Sequence, residues 1–222
     1  MFKKSLLIAA LLSASVLSAT AQATTVNLSY AGANTMVSTS VKINGSTGTY
    51  WMGSSNLNVS DSASTLVGFC VDPLQPAVSS FNAYDKSALD ATDFISGNGA
   101  TRFVNAQKLY DNAYATLSGA QQTAGFRLAL WEIFHDDLST STGIIRAVSG
   151  SNAGMLAAAS TFLSSLSGWN TTGAYSLTFY GNATKQDFLV ASPSAVPVPA
   201  ALPLLASGLL GFGVMRRRNK TK

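Results

Sequence analysis

Gln121-Gln122-Thr123-Ala124-Gly125-Phe126-Arg127-Leu128-Ala129-Leu130-Trp131-Glu132-Ile133-Phe134 is the stretch on which the fold turns. Phe126, Leu130, Ile133 and Phe134 lie on or near one helical face with Trp131 beside them, so the period predicts a core-facing helix. Upstream, Ala106, Leu109, Tyr110, Ala113, Tyr114 and Leu117 recur at the same steps and predict another helix. Downstream, Asn152 is placed to cap a third, whose apolar stripe is Met155, Leu156, Ala159, Phe162, Leu163 and Leu166. On both sides of this helical centre the period changes to two. Thr25–Tyr30 and Met36–Ile43 alternate, and Thr49–Met52 follows turn residues Gly45 and Gly48. Leu66–Val71 is a continuous apolar run of strand length, stopped by Asp72-Pro73, which reads as a buried strand and a turn. After Gly168, Tyr175–Tyr180 alternates again, and Asp187–Ala191 is expected to pair with it across residues 181–185. Strands, helices, then strands give an α+β fold: an antiparallel sheet or sandwich with an inserted helical layer.

The composition narrows the function. The chain has 222 residues, 47% hydrophobic and 11% charged, with one Cys, one His and a formal charge of +4. That positive charge is terminal. Lys3 and Lys4 lie at one end, Arg216, Arg217, Arg218, Lys220 and Lys222 at the other, and residues 24–195 carry seven bases against ten acids, a net −3. The basic balance therefore gives no reason to expect nucleic acid as a partner. One Cys excludes an internal disulfide framework and a multi-cysteine zinc site, and one His excludes paired-His metal motifs. No Gly-rich phosphate loop, nucleophile elbow or metal-ligand cluster is present, so no cofactor and no metal centre are expected.

The two ends predict a route. Lys3 and Lys4 precede an apolar run from Leu6 to Leu17, broken by Ser13 and Ser15, followed by Ala19-Thr20-Ala21 and Ala21-Gln22-Ala23. This is the pattern of a signal peptide over 1–23, read by the Sec translocon and cut by signal peptidase at the small residues Ala21 and Ala23, with the favoured cut after Ala23. At the other end, Val196 to Met215 carries no charge and Arg216, Arg217 and Arg218 follow at once, as in a membrane span with a basic stop-transfer cluster. Pro197, Pro199 and Pro203 confine the expected helix to 200–215, about 24 Å at 1.5 Å per residue. Such a short, Gly-containing span suits transient rather than permanent residence in the inner membrane. The expected organisation is a signal peptide at 1–23, an extracytoplasmic globular domain at 24–191, a Pro-rich linker and sorting motif at 192–199, a transmembrane helix at 200–215 and a basic cytoplasmic tail at 216–222.

The Pro-rich head, apolar helix and terminal arginines together resemble the PEP-CTERM sorting signal of Gram-negative bacteria. The usual head is Val-Pro-Glu-Pro. Here it is Val196-Pro197-Val198-Pro199-Ala200, with Val198 in place of the acid, which leaves open which enzyme of the family acts. The resemblance implies processing by an exosortase, a membrane cysteine transpeptidase, and delivery to the cell surface or extracellular matrix. It also implies an association with exopolysaccharide and biofilm, with exopolysaccharide as a candidate partner. The expectation is an exported, non-enzymatic surface or matrix protein.

The middle carries a second, weaker resemblance. Gly68-Phe69-Cys70-Val71-Asp72 followed by the helix Gly125–Ile133 resembles the thioester-domain fold of bacterial adhesins. In that family a Cys thiolate condenses with a Gln carboxamide on the helix, and the acyl bond captures amines. Where that Gln is expected stands Arg127, which has no carboxamide; Gln121 and Gln122 lie a turn earlier. Cys70 is thus the candidate reactive thiol, set against a buried Cys in a core strand. An adhesin of thioester-domain or carbohydrate-binding type is the alternative function. For sugar stacking, Tyr50 and Trp51 are the better surface candidates, since Trp131 has core spacing; Trp169 is the remaining tryptophan. His135-Asp136-Asp137 offers a hydrolase reading, with His135 as general base oriented by a neighbouring carboxylate, or the polar end of the helix. Asp136 and Asp137, joined by Asp61, Asp111 or Asp187, would make an oxygen site for Ca²⁺, although no loop places Asp at alternating positions.

Overall fold

The computed structural model describes residues 24–94 and 97–195. The expected signal peptide, the sorting motif from Val196 onward, the apolar segment 200–215 and the basic tail lie outside the described residues. The expected α+β class with a large antiparallel sheet is what the chain forms. Among the described residues the seven strands are β1 (Thr24–Ile43), β2 (Ser46–Val59), β3 (Thr65–Cys70), β4 (Asn82–Ala88), β5 (Ile145–Ala147), β6 (Tyr175–Gly181) and β7 (Phe188–Pro193). The three α-helices among the described residues are α1 (Gly99–Ala113), α2 (Gly119–His135) and α3 (Ala153–Ser165). No helix among the described residues is long and apolar enough to cross a membrane.

The strand order is β2-β3-β7-β6-β4-β1-β5, and β1 also pairs with β2. Six strands therefore form a closed ring of antiparallel pairings, with β5 attached to β1. Closure rests on the length of β1. Its residues Thr24–Leu28 pair with β4, and Leu28–Ile43 pair with β2. The two strands expected between residues 25 and 43 are thus one, bent by register shifts on either side of Gly32 and Ala33, the irregularities that let a sheet curve. Asn44-Gly45 links β1 to β2 with both residues at positive φ, 48° and 85°, the two-residue hairpin turn whose twist matches the strands. Gly48 is not a turn residue but lies inside β2. At Gly53 (φ 143°) the strands approach so closely that a Cβ would overlap the Thr35 carbonyl.

The three helices match the sequence periods, with moderate end shifts. α1 starts seven residues before Ala106 and stops at Ala113, leaving Tyr114–Thr116 as a 3₁₀ turn. Asn152 caps α3, its side chain accepting from the Met155 N–H at 2.9 Å. The expected hairpin of Tyr175–Tyr180 with Asp187–Ala191 is β6 with β7, and β7 runs on to Pro193, two residues past the expected domain edge. β4 and β5 carry no strand signal of their own. β4 reads Asn-Ala-Tyr-Asp-Lys-Ser-Ala and buries only Tyr84, and β5 has three residues held by Val41–Ile43.

α2 is not amphipathic. Every residue from Thr123 to His135 is buried. One side of it (Phe126, Ala129, Leu130, Ile133, Phe134) joins a core with α1, Leu163 and Leu166, and the strand residues Phe69, Leu177 and Leu189. The other side (Ala124, Leu128, Trp131) joins a core with Leu28, Met52, Cys70, Tyr84 and Phe188. Neighbouring residues in β3 and β7 divide between these cores, Phe69 and Leu189 against Cys70 and Phe188, as the two-residue pleat requires. α2 meets α3 at Gly125, where an added Cβ would stand 2.6 Å from Ala158 Cβ and 2.8 Å from the Met155 carbonyl oxygen. That contact is backbone against helix and cannot give way easily. Gly125→Val is expected to lower stability by about 2 kcal/mol through overpacking, read as an earlier urea midpoint, while Ala157→Val on the exposed face of α3 leaves the midpoint near wild type.

Candidate functional site

Arg127, Trp131 and His135 follow one another at four-residue steps, so one row of α2 faces the β2–β3 side of the sheet. Each makes one bond to backbone there. Arg127 Nη1 donates to the Trp51 carbonyl at 2.9 Å, and Trp131 Nε1 donates to the Cys70 carbonyl at 3.0 Å. His135 Nε2 lies 2.6 Å from the Val71 carbonyl, so this nitrogen carries the proton and donates. The end of β3 is held in turn. Cys70 Sγ donates to the Asp72 carbonyl at 3.2 Å, and Asp72 Oδ1 accepts from the Leu74 N–H at 2.8 Å, which makes the expected Asp72-Pro73 turn.

Cys70 is fully buried. Burial pushes its thiol up to about 11, against the opposing pull of the Arg127 guanidinium beside it. At neutral pH the sulfur is therefore a protonated, shielded thiol rather than a nucleophile. The residue facing it from α2 is Arg127, the position at which the thioester-domain resemblance requires Gln. Gln121 packs its carboxamide against Gly154, and Gln122 accepts from the Ser118 N–H at 3.0 Å, so neither is brought to Cys70. Gln186, before β7, reaches the Asp72 carbonyl at 3.1 Å, the acceptor that Cys70 also uses.

Above Arg127 a groove of about 250 Å³ opens to solvent, lined by Tyr30, Tyr50, Trp51, Ser55, Arg127 and Gln186 among others. Trp51 is 65% exposed, the largest exposure among the big apolar side chains of the described residues. Tyr50 stands edge-on to Trp131, with ring centroids 5.9 Å apart at 84°. Arg127 lies 5% exposed beneath them, its Cζ 4.9 Å from the Trp131 ring centroid. Its Nε is buried without a hydrogen-bond partner among the described residues. An open aromatic face beside hydroxyls, an amide and a guanidinium is chemistry suited to a sugar ring. Trp131, by contrast, is a core residue with no exposed surface, and Trp169 packs half-buried against the first core.

The His135 cluster divides. His135 is buried, which lowers its pKa, and its Nε2 is committed to Val71. The favourable placement of a charged His at the helix terminus is therefore outweighed by desolvation: the ring is neutral. Asp136 accepts from the Ile145 N–H, and Asp137 from the Ser139 N–H at 3.0 Å and the Thr142 hydroxyl at 2.7 Å. Neither carboxylate bonds the imidazole among the described residues, so the acid–base dyad is not assembled. Asp111 and Asp187 do not approach the pair either: Asp111 holds the amides of Thr172 and Gly173, and Asp187 that of Asn182. Asp61 sits in the exposed turn after β2.

The carboxylate that does join Asp136 and Asp137 is Glu132, one helical turn earlier. Glu132 has no exposed surface, and neither of its carboxyl oxygens has a hydrogen-bond partner among the described residues. Burial first, then the nearby Asp136 and Asp137, push its pKa up to about 9. Arg102 of α1 closes the end of α2 by donating to the carbonyls of Glu132 (3.3 Å), Ile133 and Asp136 (2.7 Å), not to these carboxylates. The signal for Glu132 was present in the sequence as a Glu-x-x-x-Asp-Asp spacing, which puts Glu132 and Asp136 on one face.

No protein-family model, curated protein or solved structure matches this chain.

Glu132 gives a pH dependence of definite sign. Between pH 7 and pH 9 its carboxyl is ionised in the unfolded chain but protonated in the folded, cation-free one. The folded state then binds the extra proton, so its stability falls as pH rises through this window. In chelator, the melting temperature should drop from pH 7 to pH 9 in the wild type, and Glu132→Gln should flatten that slope. An unchanged slope in the variant would place the titration elsewhere.

Proposed function

We propose that this chain is an exported, non-enzymatic cell-surface or extracellular-matrix protein of a Gram-negative bacterium. In this reading the signal peptide starts export, the apolar tail with Arg216, Arg217 and Arg218 arrests it, and an exosortase cleaves near Val196–Ala200 and passes the domain outward. The three-part tail at 196–222 carries the reading: a proline head, an uncharged segment and an arginine cluster in that order. The position of the head relative to the domain supports it. β7 ends at Pro193, and Ser194 makes one last backbone bond to Ala174 at 2.9 Å. The motif begins two residues later in the sequence. The non-enzymatic part is supported by the engagement of both candidate reactive groups, the Cys70 thiol and the His135 imidazole, in buried hydrogen bonds to backbone.

Removing residues 216–222 should abolish the arrest. Blots of cell fractions should then show an unprocessed or mislocalised form, whereas equal size and location in mutant and wild type would overturn the sorting reading.

A second reading, a carbohydrate-binding adhesin, is favoured by one observation, the exposed Trp51 beside the Arg127 groove. It fits the first, since a matrix protein needs a contact with the matrix. The thioester form of the adhesin reading has no support at the α2 position, because Arg127 cannot acylate sulfur. Base–aromatic and sugar–aromatic stacks share the same apolar physics, so loss of the Trp51 ring should weaken retention of the protein on immobilised exopolysaccharide about tenfold, a cost of roughly 1.4 kcal/mol. Trp51→Ala removes little core packing, and equal retention of variant and wild type would discard the groove as the contact.

A further inference from the structure

The acidic cluster at the C-terminal end of α2 carries a charge problem that the described protein groups leave unsolved. Glu132, Asp136 and Asp137 each offer a carboxylate oxygen, and the three oxygens lie within 4.8 Å of one another. A fully buried carboxylate normally finds a donor or a counter-charge. Neither Glu132 oxygen has a hydrogen-bond partner among the described residues, and the Ser139 amide, which bonds Asp137 at 3.0 Å, and the Arg102 charge offset only part of the effect of burial on it. The one cation at this helix end, Arg102, is spent on main-chain carbonyls. The α2 terminus adds its own partial negative charge to the same place.

We propose that Glu132, Asp136 and Asp137 form a binding site for a divalent cation of calcium type. The oxygen spacing matches the chemistry. Three oxygens no more than 4.8 Å apart share a point within about 2.8 Å of each, so shifts of a few tenths of an ångström in the side chains bring all three to the roughly 2.4 Å of a Ca²⁺–O bond. The donors are all hard oxygens, with no sulfur or imidazole directed at them, which selects Ca²⁺ or Mg²⁺ over zinc or copper. Asp136 keeps its bond to the Ile145 amide through one oxygen, and Asp137 is exposed, so the site has a buried wall and an open side for water ligands. A surface depression of about 220 Å³ lined by Asn98, Arg102, Asn105, Asp136 and Asp137 provides the entry.

The ion would join the end of α2 to the 136–145 segment that leads into β5, closing the turn that Asp136 and Asp137 already organise. It would neutralise the buried Glu132 that otherwise must take up a proton. The consequence is a domain whose full stability depends on a bound cation. The site is independent of the sorting and groove readings, since it uses none of their residues.

The test uses the purified full chain in detergent at pH 7.5, stripped with chelator, dialysed, and then given CaCl₂ or MgCl₂ alone. With the ion well above its dissociation constant, Ca²⁺ should raise the melting temperature by about 5 °C or more, Mg²⁺ by less, and chelator should reverse the shift. Asp137→Asn, a change at the open side that leaves the core intact, should keep the ion-free melting temperature and lose most of the shift. Glu132→Gln should raise the ion-free melting temperature, because the buried acid is gone, and abolish the response. Equal melting of the wild type in Ca²⁺ and in chelator would overturn the site and leave Glu132 as a neutral buried acid. So would a full shift retained by Asp137→Asn and Glu132→Gln together.

Discussion

The whole architecture depends on burying one helix on all sides. From Thr123 to His135, α2 has no solvent face, so it supplies both apolar cores at once, Phe126 and Ile133 to one and Leu128 and Trp131 to the other. A helix in this position cannot carry polar side chains for solubility, and each polar group it does carry must be satisfied within the protein. Arg127, Trp131 and His135 each bring one side-chain nitrogen to a backbone carbonyl, a ladder of bonds to Trp51, Cys70 and Val71. These bonds fix the rotation of α2 against the sheet, which the apolar contacts alone would leave less well specified.

That ladder also sets the chemistry. By taking the carbonyls at the end of β3, it buries the Cys70 sulfur and keeps its proton. It places the Arg127 guanidinium as the floor of a surface groove whose rim is Trp51 and Tyr50. One row of helix residues thus turns a strand cysteine into core and leaves an aromatic, donor-rich surface as the accessible feature. One residue on from Trp131 around α2, Glu132 has no such partner among the described residues, and the local charge gathers there instead.

The closed ring of strands has a similar single cause. β1 is long enough to pair with β4 at one end and β2 along the rest, so the sheet returns on itself and leaves few free edges. For a chain expected to fold outside the cytoplasm, an edge-poor sheet without disulfides is a sound way to resist pairing with neighbours. The charge is low and the stability comes from packing, as the tight Gly125 contact between α2 and α3 illustrates.

Local periodicity alone determined the three helices, the β6–β7 hairpin, the Asp72-Pro73 turn and the α+β class, because those signals come from side chains a few residues apart. The proposed route of export likewise rests on local signals, the apolar runs and charges of the two ends. Tertiary structure decided what lies far apart in the chain. It merged two expected strands into β1, made a strand of the polar segment Asn82–Ala88 by pairing it on both sides, and brought Arg127 against Cys70. It separated His135 from its neighbouring carboxylates and gave them Glu132 instead. Burial and partner choice are properties of the packed molecule, and a helix that looks one-sided in sequence can be buried on every side when a second layer of helices covers it.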